Sequence, residues 1–354
     1  MAGTRAPVLL HVFPTFAVGG AQARLAAVAN RFGGAWHHAV IAMDGNLACR
    51  ERLAPELDAS FPAVEVRKGD IAGNVLRFRA VLAALRPHRL VTHNWGSIEW
   101  AMANALRPGR HLSRLAHIHI EDGFGPDESR AQLPRRVTTR RWVLARSTVV
   151  LPSRTLCAIA RDIWRLPAAG LRYIPNGVDL DRFAADGVRP ASPPTLNPPV
   201  IGTVAALRPE KNLGRLLRAF ALVDAPCRLA VVGDGAERRP LEALAATLGI
   251  AARVDFLGHR ADPARLYRGF DIFALSSDTE QMPLTVLEAM AAGLPVAATD
   301  VGDVAAMLAP ENLPCVTAPD PAALAAALTA LVTRPTLRLA LGAANRARAE
   351  RDYG

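Results

Sequence analysis

Short, unbroken apolar runs alternate with longer amphipathic stretches along most of this chain. VLLHVF (8–13) leads into a loop holding Pro14 and Gly19-Gly20, and then into AQARLAAVANRF. That succession of strand, glycine loop and helix predicts the opening of a doubly wound sheet. Further strand-like runs lie in HHAVIAM, HRLVTHN, SRLAHIHIED and STVVLPS, separated by helical stretches such as NVLRFRAVLAALR. Strands alternating with helices predict a parallel sheet. The plan then repeats through PPVIGTVAAL, RLAVVGDG, ARVDFLGH, GFDIFALSS and GLPVAATD. Between the halves, NGVDLDRFAADGVRPASPPTLNPP is rich in Pro and Asp and carries no strand pattern, so it reads as a connector. The expected architecture is α/β, with Rossmann-like domains at 1–185 and 186–354. The Ala-rich AALAAALTAL is expected to be a surface helix.

Composition adds limits. A chain of 354 residues exceeds what one core comfortably serves, which favours two domains. With 51% hydrophobic and 21% charged residues it is globular. It has no uninterrupted apolar run of membrane-spanning length, and VLLHVF is too short for the core of a signal peptide. Cys49, Cys157, Cys227 and Cys315 are scattered without CxxC spacing, which fits a reducing cytosol and neither a zinc site nor a disulfide framework. The formal charge of +10 is almost all arginine, since Lys68 and Lys211 are the only lysines. Charge alone would point to nucleic acid, but no recognised module or aromatic-basic pattern accompanies it.

The candidate chemistry concentrates in SSDTEQMPLTVLEAMAAGLPVAATDVGD. Glu280 precedes an apolar helix and Glu288 lies within it, so both can face one ligand. Gln281 to Thr285 span the helix N-terminus, where backbone amides suit a phosphate. Carboxylates accept from sugar hydroxyls and amides hold a diphosphate, which together read as a sugar-nucleotide site. Against this stands a plain alternative, a helix-capping Glu280 and a solvated Glu288. Lys211 lies in AALRPEKNLGRLLRAF, after the strand VIGTVAAL and at the start of a helix. A cation there calls for an anion between it and the helix dipole, and a diphosphate would supply one. Arg208 could grip the same phosphates bidentately. A solvated Lys211 paired with Glu210 is the alternative.

PEKN, the E-x7-E spacing of Glu280 and Glu288, NGVD at 176–179 and GDG at 233–235 together resemble the donor domain of the retaining family 4 glycosyltransferases. The resemblance is strongest from about 170 to 305. It implies a GT-B fold, two facing Rossmann-like domains with a central cleft, and transfer from a nucleoside-diphosphate sugar with retention of configuration. Carried over, Glu280 would hold hydroxyls of the transferred sugar and Glu288 the ribose hydroxyls. Lys211 would neutralise the leaving diphosphate, Met282, Pro283, Leu284 and Thr285 would line the donor, and the backbone from Phe256 to Arg260, Gly258 included, would hold the base. Three departures stand out: Ala206 in a slot where the family often has arginine, Met282-Pro283 in place of Phe-Gly, and Gly302-Asp303 in place of Gly-Gly.

The first half is expected to carry the acceptor. Gly19-Gly20 resembles the glycine loop of the family, with a simple strand-to-helix turn as the alternative. In SRLAHIHIEDGFGPDES, strand alternation puts His117, His119 and Glu121 on one face and leads Asp122 into a loop. Many family members keep a histidine at this strand end near the transferred sugar; His119 is assigned that place, with Asp122 as the other occupant and a core histidine as the plain reading. His93, Asn94 and Trp95 at another strand end are candidate acceptor contacts, as are Glu121 and Asp122. The catalytic set is thus His119, Lys211 and Glu280.

QLPRRVTTRRWVLARS gathers arginines around Trp142, and the Arg135–Arg146 region could rest on anionic lipid or simply be a solvated helix. Asp179-Leu180-Asp181 mimics a metal-binding D-x-D but sits in the connector, so no metal and no cofactor beyond the sugar nucleotide is expected.

The sequence therefore predicts a glycosyltransferase acting in the cytoplasm or at the inner face of the membrane. The donor would be a UDP- or GDP-type sugar, and the acceptor a glycan or lipid-linked sugar of polysaccharide or envelope assembly. Rival readings are a sugar-nucleotide 2-epimerase of the same fold and a non-catalytic or degraded sugar-nucleotide binder. The chain ends at ARAERDYG, where the family's final cross-over helix would begin, which predicts an uncovered apolar patch on the first domain and looser closure.

Overall fold

The computed structural model describes residues 6–106, 115–128, 131–183, 198–260, 262 and 264–354. They form two compact units that divide between Ile174 and Pro175. The middle of the expected connector, with the boundary set at 185/186, lies outside the described residues. Residues 175–183 belong to the second unit because Asn176 binds Met282 and Phe183 packs into that unit's core.

The first unit is a seven-stranded parallel sheet. Its strands are β1 (Val8–Phe13), β2 (His37–Ala42), β3 (Ala59–Ser60), β4 (Arg89–His93), β5 (Ala116–Ile120), β6 (Thr148–Leu151) and β7 (Leu171–Tyr173). The helices are α1 (Gly20–Phe32), α2 (Ile71–Leu85), α3 (Ile98–Ala105), α4 (Pro134–Leu144) and α5 (Arg154–Asp162). The spatial order β3-β2-β1-β4-β5-β6-β7 reverses direction between β1 and β4. One face packs Leu10, Val12 and Leu90 against Phe78 and Trp100, whose rings stack at 4.4 Å.

The second unit is a six-stranded parallel sheet of β8 (Val200–Val204), β9 (Arg228–Val232), β10 (Val254–Gly258), β11 (Ile272–Leu275), β12 (Val296–Thr299) and β13 (Val316–Thr317). Its helices are α6 (Leu180–Phe183), α7 (Leu213–Ala221), α8 (Arg238–Thr247), α9 (Ala264–Tyr267), α10 (Leu284–Ala291), α11 (Val304–Met307), α12 (Pro321–Thr333) and α13 (Pro335–Asp352). The order β10-β9-β8-β11-β12-β13 again reverses beside the first strand, between β8 and β11. In open α/β sheets that switch point is where ligands bind, at the carboxyl ends of the strands. Every residue of β11 and β12 is buried, because helices cover both sides of a parallel sheet. That double burial is why these strands read as continuous apolar runs.

Two expectations change. The Ala-rich stretch is not a surface helix: as α12 it buries Leu324, Leu328 and Leu331 in the same core as α7. The edge strands β3, β7 and β13 have no counterpart in the sequence pattern, since two or three residues carry no measurable alternation.

Candidate functional site

The loops after β8 and β11 are neighbours at the second switch point, and they are laced together. Pro209 opens a 3-10 turn that ends at Lys211, and Asn212 follows in the left-handed region at φ 41°. Asn tolerates that conformation, and its side chain then caps α7 by accepting from the Arg215 amide at 3.1 Å. The Asp278 amide donates to the Glu210 carbonyl at 2.9 Å, and Ser276 Oγ to the Lys211 carbonyl at 3.1 Å. Arg215 bonds the Ser276 carbonyl at 2.8 Å and Asp278 Oδ1 at 2.6 Å.

Held in this way, Lys211 Nζ meets Glu280 Oε1 at 2.6 Å. Ser277 Oγ, itself buried, donates to the same oxygen at 2.8 Å. The partner of Lys211 is thus Glu280 and not the adjacent Glu210. Arg208 points into solvent, its side chain 68% exposed and 4.0 Å from Glu210. Charge-assisted hydrogen bonds of this kind fix geometry as well as contributing energy.

Glu288 lies one turn into α10, and its Oε2 accepts from the Tyr267 hydroxyl at 2.7 Å. Burial holds the Tyr267 phenol well above the usual phenol range, and the Glu288 carboxylate raises it further, so Tyr267 stays a neutral donor. Pro283 is the N-cap of α10 and offers no amide; the first-turn donors are those of Leu284 and Thr285, which have no intrahelical acceptor. Met282 is not a contact side chain. It is buried, and both its carbonyl (2.7 Å) and its sulfur (3.2 Å) are taken by Asn176. That bond gives the NGVD segment its role, which is to pin the backbone just before α10. Gly302, at φ 58°, lets the β12 loop close on this segment: a Cβ there would lie 2.2 Å from the Glu280 carbonyl.

On the other side of the switch point, the GDG turn crosses the β8 loop. Leu207 donates its amide to the Asp234 carbonyl at 3.0 Å, and a Cβ on Gly233 would lie 1.8 Å from the Ala205 carbonyl. Gly258 closes β10 after a register shift at Phe256, with φ 71°, and its carbonyl accepts from the Gly233 amide. Arg238 Nη2 reaches the Phe256 carbonyl at 3.3 Å, and His259 and Arg260 are exposed.

The first switch point is built differently. Gly19, the N-cap of α1, and Gly20, its first residue, are exposed. Asn94 follows β4 at φ 58°, and its Oδ1 accepts from the Asp122 amide at 2.7 Å. Asp122 binds Arg24 of α1 through both oxygens, at 2.5 and 3.0 Å. One glycine loop, one asparagine and one acid–base pair thus meet at the carboxyl ends of β1, β4 and β5.

Three expected contacts lie beneath this rim, in the interior. His93 is buried with its ring stacked on Phe13 at 3.7 Å, so it is a core residue and not an acceptor contact. Burial lowers its pKa well below the usual range, helped by His11, Arg24 and His119. His119 shares a face with His117 and Glu121 as alternation predicts, but it is fully buried. Its Nδ1 and the Nε2 of His117 both bond Thr92 Oγ1 at 2.8 Å, and its Nε2 lies 3.5 Å from Glu121. Glu121 is equally buried and is held by Arg140 Nε at 3.3 Å, so neither residue is presented at the rim. His119 Nε2, Glu121 Oε1 and both ring nitrogens of His93 are buried with no hydrogen-bond partner among the described residues.

Arg140 changes the picture of the basic helix. It is 0% exposed, binds Glu128 through both nitrogens at 3.1 Å, and lies 4.8 and 4.9 Å from the Trp95 and Trp164 ring centres. Burial pushes Glu128 up, but the hydrogen bonds from Arg140 and Arg136 outweigh it and hold the carboxyl below its usual range. Trp142, Arg135, Arg141 and Arg146 remain exposed; Arg130 lies outside the described residues. Among the described residues no single helix is long and apolar enough to cross a membrane.

Tyr267, Ser277 and Asn176 are the site residues that the sequence left unassigned. Only Asn176 had a signal, within NGVD. Tyr267 and Ser277 matter through contacts that no local spacing encodes.

Comparison with known proteins matches both units. Residues 18–182 fit the family description "Glycosyltransferase Family 4", and residues 187–348 fit "Glycosyl transferases group 1". The chain is 28% identical over 293 residues to a D-inositol 3-phosphate glycosyltransferase of Corynebacterium urealyticum, covering 74% of this chain and 68% of that one. It is 32% identical over 179 residues to a GDP-mannose-dependent alpha-mannosyltransferase of Mycobacterium tuberculosis, covering 48% and 45% respectively. The structure of Anabaena HepE in complex with UDP and glucose superposes with a TM-score of 0.79 at 18% identity, covering 98% of this chain and 95% of HepE. Two parallel sheets of Rossmann order, each with its own family match, make this chain a member of the family 4-type glycosyltransferases of GT-B fold.

Proposed function

We propose that the protein transfers a sugar from a nucleoside-diphosphate sugar to a glycan or lipid-linked acceptor, with retention of anomeric configuration. The observation that carries this reading is the 2.6 Å Lys211–Glu280 pair at the β8/β11 switch point. Glu280 holds the Lys211 ammonium. A bound donor brings a diphosphate for Lys211, and sugar hydroxyls to accept in its place at Glu280. Leu284 and Thr285 amides receive the phosphates, and Glu288 the ribose hydroxyls.

In the reaction the bond from the anomeric carbon to the phosphate oxygen breaks, and the bond to the acceptor oxygen forms on the same face. The acceptor proton passes to the departing phosphate oxygen, so no strong protein base is needed. Lys211, the α10 dipole and Arg208, whose side chain is 68% exposed, stabilise the charge that develops there. Each such donor lowers the barrier by about 3 kcal/mol. No metal is required in this scheme; activity lost with a chelator and restored by manganese is the result against it. His119, buried in the sheet, would act by shaping the rim, and Asp122, Asn94, Gly19 and Gly20 are the acceptor-side contacts. A UDP or GDP donor is supported by the names of the relatives. The setting is polysaccharide or envelope assembly on the cytoplasmic side, with peripheral membrane contact through Trp142, Arg135, Arg141 and Arg146.

Thermal stabilisation by UDP, GDP, ADP and their sugars tests the donor site, run in parallel on wild type, Lys211→Ala and Glu288→Ala. At a hundredfold excess over Kd a ligand adds about 2.7 kcal/mol to stability. One nucleotide family should stabilise the wild type and lose its effect in both variants. Equal shifts in all three proteins would remove the assignment.

A further inference from the structure

The geometry points to Tyr267 as the positioning residue that gives the donor site its preference for ribose. This inference rests on the proposed donor reading and deepens it. Tyr267 ends the four-residue helix α9, 21 positions before Glu288. Its ring is fully buried and is fixed on three sides, by Phe183 at 5.5 Å, Phe270 at 5.7 Å and Phe273 at 5.8 Å. These neighbours come from α6, from the turn before β11, and from β11 itself, so the hydroxyl is carried on a rigid aromatic mount.

From that mount the hydroxyl reaches Glu288 Oε2 at 2.7 Å, with the Thr285 carbonyl 3.3 Å away. A hydroxyl has one proton, and the shorter, charge-assisted contact takes it. Glu288 is a half-buried side chain with three rotatable bonds on a helix whose other side chains are mostly apolar. Each restraint on its carboxylate lowers the ordering cost of binding two vicinal hydroxyls. The Tyr267 hydroxyl supplies one such restraint from a rigid mount, before any ligand arrives. Because burial keeps the phenol protonated, it holds the carboxylate as an acceptor for two donors and never competes for them as an anion.

The consequence is specific to the sugar of the nucleotide. Tyr267 should matter for ligands that carry the 2′ and 3′ hydroxyls and be silent for ligands that lack them. The experiment is calorimetric titration of the full chain, wild type and Tyr267→Phe, with the nucleoside diphosphate that stabilises it and with the 2′,3′-dideoxy form of the same nucleotide. Tyr267→Phe keeps all three ring contacts. Wild type should prefer the ribonucleotide, and the variant should lose about tenfold in ribonucleotide affinity, the scale of one hydrogen bond to a charged group, with dideoxy affinity unchanged. Ribonucleotide affinity equal to wild type would overturn the inference. So would an equal loss for both ligands, since that marks general loosening of the site. If wild type binds no nucleoside diphosphate, the donor reading itself falls and this inference with it. The thermal midpoint of the unliganded variant, expected near wild type, separates a lost hydrogen bond from a damaged fold.

Discussion

The two units reverse their strand order at the same station, β1/β4 in the first and β8/β11 in the second, yet they furnish it with different chemistry. At β8/β11 the charged groups are partly exposed and belong to different loops. Lys211 comes from one, Glu280 from the other, and backbone bonds tie the two loops together. At β1/β4 the rim carries, among the described residues, the Arg24–Asp122 pair, Asn94 and a glycine loop, while His93, His117, His119 and Glu121 lie below it in the core. One topology thus supports a charged site at its edge in one case and a buried polar network in the other. The lesson is that the switch point supplies a location, and the side chains after each strand decide what that location can bind.

The sharpest way to break this contrast is Arg140→Ala. If the first unit's polar groups are mainly structural, leaving buried Glu121 without its arginine and Glu128 with Arg136 alone should cost about 3–5 kcal/mol in urea unfolding. A loss under 1 kcal/mol would show that the network contributes little. Lys211→Ala is the mirror experiment at the second site. It should slow sugar transfer by about 3 kcal/mol in barrier height and barely change the midpoint of thermal unfolding. Near-normal turnover would end the comparison, because the charged site would then not be where chemistry happens.

Gly302→Ala sits between these two. A Cβ 2.2 Å from the Glu280 carbonyl, at a φ of 58°, should cost about 1–3 kcal/mol and shift Glu280 against Lys211. Unchanged donor binding and unchanged stability would mean the loop accommodates it freely. The smallest effect is the response to acid. Burial, with a smaller contribution from His38, lowers His11 to about 3, and His93 is lowered too, so both are neutral in the folded state where an unfolded histidine titrates near 6.5. The unfolded chain then binds more protons as pH falls below that value. Stability is therefore full above it and is lost progressively toward pH 3, by about 1 kcal/mol per histidine at pH 5.5. His93→Phe should flatten that slope in denaturation curves recorded between pH 7.5 and 5.5, and an unaltered slope would count against a buried neutral imidazole.

Much of the fold was legible in the chain. Strands buried on both faces announce themselves as apolar runs, as in GFDIFALSS and GLPVAATD, and glycine or proline loops punctuate them. The loops carrying Lys211 and Glu280 were legible for the same reason: they follow such strands and precede helices, the second of which carries Glu288. What was not legible was which groups are buried. Strand alternation correctly put His117, His119 and Glu121 on one face, but alternation cannot say whether that face meets solvent or a packed helix. The arginines of α4 looked alike in sequence, yet Arg140 turns inward to two carboxylates while Trp142 stays outside.

By itself, then, the sequence determined the α/β class, the two-fold repetition of the plan and the loops where charged residues cluster, because these follow from local periodicity and turn chemistry. Only the tertiary structure decided that Lys211 pairs with Glu280 and not with Glu210, that Tyr267 holds Glu288, and that His93 is a core residue. Those outcomes depend on which strand lies beside which and on which side chains lose their water, and neither property is written in any short stretch of chain.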